Sequence, residues 1–256
     1  MAGKYPGNLI TTQTAKTLPK GKSLAILSAS YTEYTKQRIA GRMRSMPSGM
    51  ESDSLITTLV LQHGITDRLQ LGLVAPFVWR HFEYRPRGIQ EHERGLGDVV
   101  LTSKYALLQE TENFPGFALG LGLKLPTGEE DRKLGTGEFD ASLFAACSKR
   151  TGDVSFHGSL QYIATGGSRD DLGPRADDKF ICAGAVLWHC SRRVTFLGEL
   201  ARFDWGDVGS SVGFTPGVLW SVSDSLSVRG GVTIPLHTDM PFGYDIRPTL
   251  GLCYRF

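Results

Sequence analysis

The sequence contains no apolar run of about 18 residues, so it codes no transmembrane helix. It nearly lacks the 3.6-residue helical period from residue 22 onward. It has no Cys-x-x-Cys pair, which argues against a metal ribbon; Cys147, Cys182, Cys190 and Cys253 stand apart. Cys182 and Cys190 fall on one expected strand, roughly 26 Å apart at about 3.3 Å per residue, too far to bridge. Four free cysteines are therefore expected. No His-Glu-x-x-His pair occurs, so that common hydrolase signature is missing. A formal net charge of +2 gives no field suited to nucleic acid. The opening MAGKYPGNLITTQTAKTLPKGK has no apolar stretch after its basic residues, so it does not read as a secretory signal. The numbering is expected to start at a mature or engineered terminus.

None of these absences excludes a membrane. A transmembrane strand needs only about 9–11 residues, half of them apolar, and its mean hydropathy is unremarked. What the chain does have is 31 glycines among 256 residues and a two-residue alternation in almost every segment. The alternation predicts twelve strands, at 22–35, 52–65, 68–84, 96–109, 116–126, 138–149, 152–165, 178–190, 193–204, 210–221, 225–236 and 242–256. Connections then alternate strictly. Those at 66–68, 110–115, 150–151, 191–192 and 223–224 are tight. Those at 36–51, 85–95, 127–137, 166–177, 205–209 and 237–241 are mostly longer and richer in charge. A soluble sandwich has no reason to gather its long loops at one end; a membrane barrel does.

The faces separate as a barrel requires. At 116–126, Phe117, Leu119, Leu121, Leu123 and Leu125 oppose Ala118, Gly120, Gly122 and Lys124. At 152–165, Phe156, Leu160 and Tyr162 oppose Ser155, His157 and Ser159. The polar face is rich in Gly, Ser and Thr with isolated charges of both signs, which fits a confined lumen. Strands at 22–35, 52–65, 138–149 and 178–190 alternate less cleanly. Aromatics sort into two belts, with Trp79, Phe139, Tyr162 and Trp205 toward the long loops and Tyr105, Phe117, Trp188 and Trp220 toward the tight turns. The final strand ends in Tyr254-Arg255-Phe256, similar to the C-terminal signal read by the barrel-assembly machinery. The expected fold is all-β: a single 12-stranded antiparallel transmembrane β-barrel in a Gram-negative outer membrane, with both termini periplasmic.

Two stretches, GLGDVVLTSKYALL at 95–108 and KLPTGEEDRKLGTGEFDASLFAACSKR at 124–150, resemble the outer-membrane family labelled "MetA-pathway of phenol degradation" and related transporters. The carrying residues are Gly97-Asp98, Lys104-Tyr105, Leu125-Pro126-Thr127-Gly128, Leu134-Gly135-Thr136-Gly137 and Asp140. The resemblance covers residues 20–256. It implies an outer-membrane barrel with a transport role for aromatic or other hydrophobic compounds. The four cysteines depart from the usual cysteine-poor barrel.

Period and register place Arg80, Asp98, Lys104, Lys124, Asp140, His157, Glu199, Arg229, Asp245, Arg247 and Arg255 on the lumen face. They form either a lining that selects a solute or an ion-pair network that fills the bore. Mixed ladders of Arg80, Arg229, Arg247 and Arg255 with Asp98 and Asp245 are the expected pairing. His157, flanked by Ser155 and Ser159, reads as a lumen polar group rather than a catalytic base. Residues 1–21 are a periplasmic tail or a segment that folds back as a plug. The tail is the preferred reading, because untethered termini are commonly disordered. Loop 36–51, with Lys36, Arg38, Arg42 and Arg44, is a solvated polar loop or a contact for lipopolysaccharide phosphate.

The expected function is passive passage of a small solute, not enzymatic catalysis, with no cofactor or metal. The alternatives are a closed structural or partner-binding barrel, an outer-membrane lipid-modifying enzyme, and a soluble lipocalin-like or sandwich protein. Expected partners are outer-membrane lipid and lipopolysaccharide, a small-molecule solute, the assembly machinery, and a periplasmic or surface protein; nucleic acid is not expected.

Overall fold

The computed structural model describes residues 9–166 and 178–256. The strands are β1 (Ser23–Ile39), β2 (Arg42–Ser45), β3 (Met50–Gly64), β4 (Leu69–Tyr84), β5 (Ile89–Leu96), β6 (Val99–Leu108), β7 (Gly116–Leu125) and β8 (Asp140–Thr151). They continue as β9 (Val154–Thr165), β10 (Lys179–Trp188), β11 (Val194–Asp204), β12 (Ser210–Ser221), β13 (Leu226–Thr238), β14 (Phe242–Tyr244) and β15 (Arg247–Arg255). β2, β5 and β14 are short pieces at the long-loop end. The other twelve pair antiparallel in one ring. The ring closes because β1 pairs with β3 on one side and with β15 on the other: Ser28 faces Thr58 in one register and Gly251 in the other. Closure leaves the ring without a free edge, as lipid demands of a sheet.

Each expected strand has its counterpart, with three differences at the long-loop end. The expected loops 36–51 and 85–95 carry strands. β2 folds back on β1 through Ala40 and Gly41, both at positive φ (49° and 77°), the backbone of a tight primed hairpin turn. β5 folds back on β4 through the left-handed Gly88 (φ 63°). The last expected strand is broken between Tyr244 and Arg247: β14 and β15 pair separately with β1, and the β14 pairing shifts register between Tyr34 and Lys36. Most of the expected loop 166–177 lies outside the described residues.

Alternation decides the faces. Leu119, Leu121, Leu123, Phe156, Leu160, Leu250 and Leu252 are all exposed on the outer surface. Trp79, Phe139 and Trp205 are exposed toward one rim and Trp188, Trp220 and Tyr254 toward the other. An exterior of Leu, Val and Phe bounded by aromatic belts is a lipid-facing surface. The complementary positions are buried and largely polar: Gln70, Lys104, Ser148, Ser155, Glu199, Thr215 and Arg229. Two of the four strands that alternate less cleanly in sequence, β1 and β10, have a structural cause. Leu24, Ile26, Ala185, Leu187 and Leu197 face inward, and they are covered by Leu9 and Leu18 from the segment that precedes β1. Apolar residues can point into this lumen because part of it is occupied by chain.

Candidate functional site in the barrel lumen

At the long-loop end the strand opposite β4 is interrupted. β4 pairs with β5 over its outer half and with β6 over its inner half, and Gly97 and Asp98 lie in the gap. The interruption lets Asp98 collect the connection between β7 and β8. Its two carboxylate oxygens accept the Gly128 N–H at 3.0 Å, the Thr136 N–H at 3.0 Å and the Thr136 hydroxyl at 3.3 Å. The Thr127 hydroxyl donates to the Gly97 carbonyl at 3.0 Å, and its oxygen accepts the Val99 N–H at 2.9 Å. Gly128 and Gly135 approach so closely that a Cβ on either would overlap the other's backbone. The two Thr-Gly motifs and the Gly-Asp pair are therefore one object, a clamp that folds the connection against the barrel mouth. Lys124 carries the charge balance, 2.7 Å from Asp140 and 3.5 Å from Asp98. Asp140 also accepts the Gly166 N–H at 3.2 Å.

At the opposite end, residues 9–20 run inside the barrel. They make no β-ladder with the wall. Inward side chains take up their backbone groups one after another. Gln70 on β4 accepts the Leu18 N–H at 3.0 Å, Ser148 on β8 the Ala15 N–H at 2.9 Å, and Ser159 on β9 the Gln13 N–H at 3.1 Å. Glu199 on β11 accepts three successive amides, from Ile10, Thr11 and Thr12, at 2.6, 2.8 and 3.0 Å, together with the Thr12 hydroxyl at 3.1 Å. Three consecutive N–H groups converging on one carboxylate form a backbone anion nest whose guest is part of the protein. Arg229 on β13 donates to the Leu9 carbonyl at 2.5 Å, and Lys104 on β6 to the Thr14 carbonyl at 3.3 Å. Lys16 pairs with Glu110 at 3.1 Å.

The profile of the family described as the MetA-pathway of phenol degradation matches residues 12–239. The chain belongs to that family. The barrel is similar to the COG4313 outer membrane channel from Pseudomonas putida F1, with a TM-score of 0.80 at 17% identity over 94% of this chain and 98% of that one. It is also similar to the Ralstonia pickettii toluene transporter TbuX, with a TM-score of 0.54 at 10% identity over 93% and 90% of the two chains. The KdgM porin gives a TM-score of 0.55 at 10% identity over 91% and 99%. No curated protein matches the chain in sequence.

In this member of the MetA-pathway family the remaining sequence candidates scatter. His157 is buried beside the occupied lumen, where its Nδ1 lies 2.8 Å from the Ser148 hydroxyl that also holds Ala15. Arg80 is exposed and donates to the Lys133 carbonyl of the clamp loop at 2.9 Å. Asp245 is exposed at the long-loop rim and pairs with Lys36 at 2.5 Å. Arg247 lies over the Tyr244 ring at 5.2 Å, and Arg255 ends β15 opposite Leu24. The expected Arg ladders with Asp98 and Asp245 do not form among the described residues. Those carboxylates take Lys124 and Lys36, and Arg229 takes a backbone carbonyl. Sequence reasoning missed Gln70 and Ser148 as anchors of the N-terminal segment, although both occupy inward positions of the two-residue period.

Between clamp and segment lies a cavity of about 280 Å³, lined by Lys104 and Arg229, the Phe144 ring, and residues 9–14. A wider cavity of about 730 Å³ opens at the tight-turn mouth beside Lys16, Asp67, Glu110 and Arg150.

Proposed function

We propose that the protein is an outer-membrane channel for passive passage of small, largely apolar molecules, aromatic compounds among them. It is set with its tight turns and both termini on the periplasmic side. The observation that carries the reading is the combination of a closed barrel with a lipid-facing exterior and an interior where a polar cavity lies between two mouths. Membership of the MetA-pathway family supports an aromatic solute, as does the shared barrel plan with a protein described as a toluene transporter. Residues 9–20 then act as a plug that narrows the bore, and the clamp at Asp98 fixes the outer mouth. Arg42 and Arg44 are exposed on the hairpin of β1 and β2 and are the groups available to lipopolysaccharide phosphate, because Lys36 and Arg38 are engaged with Asp245 and Asp239.

The occupied lumen favours a second reading, a closed structural barrel. The segment is held by side chains of β4, β6, β8, β9, β11 and β13, more anchoring than a loose tail receives. Reconstitution decides between them. A channel gives discrete currents in planar bilayers and admits benzyl alcohol faster than an equal-sized sugar into liposomes. Absence of both current and uptake establishes the closed barrel.

A further inference from the structure

We propose that the central cavity is a binding site for a small organic monoanion with an apolar body, an aromatic carboxylate of single-ring size, whose carboxylate pairs with Lys104. The proposal deepens the passage reading above and rests on it for the site's purpose, but not for its chemistry. Lys104 is more than nine-tenths buried, and among the described residues its ammonium makes one hydrogen bond, to the Thr14 carbonyl at 3.3 Å. No carboxylate lies within ion-pair distance of it among the described residues. An ammonium has three donors, so two are left for a ligand. A buried charge without a counter-charge is costly, and an anion delivered to it removes that cost.

The surroundings select for the same class. Among its described lining residues the cavity has two cations, Lys104 and Arg229, and no carboxylate. Arg229 is also more than nine-tenths buried, donates one N–H to the Leu9 carbonyl, and leaves its Nε without a partner among the described residues. Glu199 offsets part of its charge from outside the lining, and that carboxylate is itself saturated by the amides of residues 10–12. Lys104 and Arg229 sit on strands five places apart round the ring, so they act from opposed walls. The carboxylate belongs to the Lys104 wall, and Arg229 adds attraction across the bore. Between them Val60, Val74, Val100 and Phe144 give an apolar surface for a ring, with Gln62 and Gln161 as neutral polar neighbours. A volume of about 280 Å³ is at the lower limit for ligand sites and admits one ring rather than an oligosaccharide. A cation meets like charge there, and a hydrocarbon leaves the ammonium unpaired.

Calorimetry on the full chain in detergent, with benzoate, benzamide and benzylammonium as probes, tests the site without requiring transport. Benzoate is expected to bind at least about tenfold more tightly than benzamide, the scale of one charge-assisted contact, and benzylammonium not at all. Lys104→Met should bring benzoate down to the benzamide level, while Lys104→Arg keeps the preference. Equal binding of benzoate and benzamide by the unaltered protein overturns the proposal, whether or not Lys104→Met folds. So does an unchanged preference in a Lys104→Met protein that retains heat-modifiable mobility. The two readings fail separately in liposomes. Benzoate binding with no passage of any solute keeps the site and removes the channel, whereas passage of benzyl alcohol without benzoate preference keeps the channel and removes the site.

Discussion

The Ile10 amide donates to the Glu199 carboxylate at 2.6 Å across a sequence separation of 189 residues, the first of three consecutive amides that this one side chain receives. Hydrogen bonds to an ionised acceptor are worth about 1.5–3 kcal/mol each, so this carboxylate is the strongest single tether on the segment. Glu199→Gln keeps the shape and removes the charge. Single-channel conductance should rise, and amide exchange in residues 10–15 should speed up by at least about tenfold, the scale of one lost charge-assisted bond. Unchanged exchange would mean that Ser148, Gln70 and the apolar contacts of Leu9 and Leu18 hold the segment by themselves.

Asp98 governs the opposite mouth. Asp98→Ala leaves the amides of Gly128 and Thr136 without their acceptor while Lys124 keeps Asp140. Losing these bonds costs on the order of 1–3 kcal/mol each, borne by the connection rather than the barrel wall. Limited proteolysis should therefore cut the variant between residues 126 and 139 at a protease level that leaves the parent intact, with little change in overall melting. Cleavage elsewhere first would remove the clamp from its assigned role.

How legible this was in sequence depends on what imposes each feature. Lipid imposes the period-two pattern locally, so the outward set Leu119, Leu121 and Leu123 could be read directly. The Gly-Asp and Thr-Gly pairs stood out as motifs, but their joint purpose is tertiary: Asp98 reaches Thr136 over 38 residues. The N-terminal segment was the hardest to read. Leu9, Ile10 and Leu18 are scattered among threonines and lysines without period, and the residues that hold Leu18, Ala15 and Ile10, namely Gln70, Ser148 and Glu199, lie 52 to 189 positions away. The inward Leu24, Ile26 and Leu187 blur the alternation of their strands for the same reason, since only an occupied lumen lets them point there.

The long-loop rim should respond to acid in a restricted window. Asp239 lies below the ordinary carboxylate range, chiefly because the Ser210 N–H donates to it, with the Arg38 charge assisting. Asp245 is lowered chiefly by the hydrogen bond from Lys36. A depressed folded pKa gives stabilisation that is complete above the unfolded value, about 3.9 for Asp, and is lost as pH falls through the folded value. The Lys36–Asp245 contact is exposed and the Ser210–Asp239 contact only part-buried, so solvent screening makes the effect local rather than global. Open-channel noise should stay flat from about pH 7 to 5 and rise only below about pH 4. A rise centred near pH 6 would remove Asp239 and Asp245 from this role.

The facing assignment itself can be tested with two adjacent residues of β7. Leu121 is well exposed on the outer surface at the middle of its strand, and Gly122 points inward toward the Ser142 hydroxyl. An Arg on the lipid face near the midplane costs about 2–4 kcal/mol, so Leu121→Arg should lower folding stability in lipid vesicles by that amount. Gly122→Ser brings a Cβ into contact with the Ser142 hydroxyl, a short side chain that can rotate away, and exchanges no lipid contact for charge. Its cost should stay below about 1.5 kcal/mol, the price of an off-rotamer side chain. Urea titration of both variants in vesicles measures the difference. Equal losses, or a larger loss for Gly122→Ser, would reverse the inside and outside of β7 and with them the lumen lining on which the cavity depends.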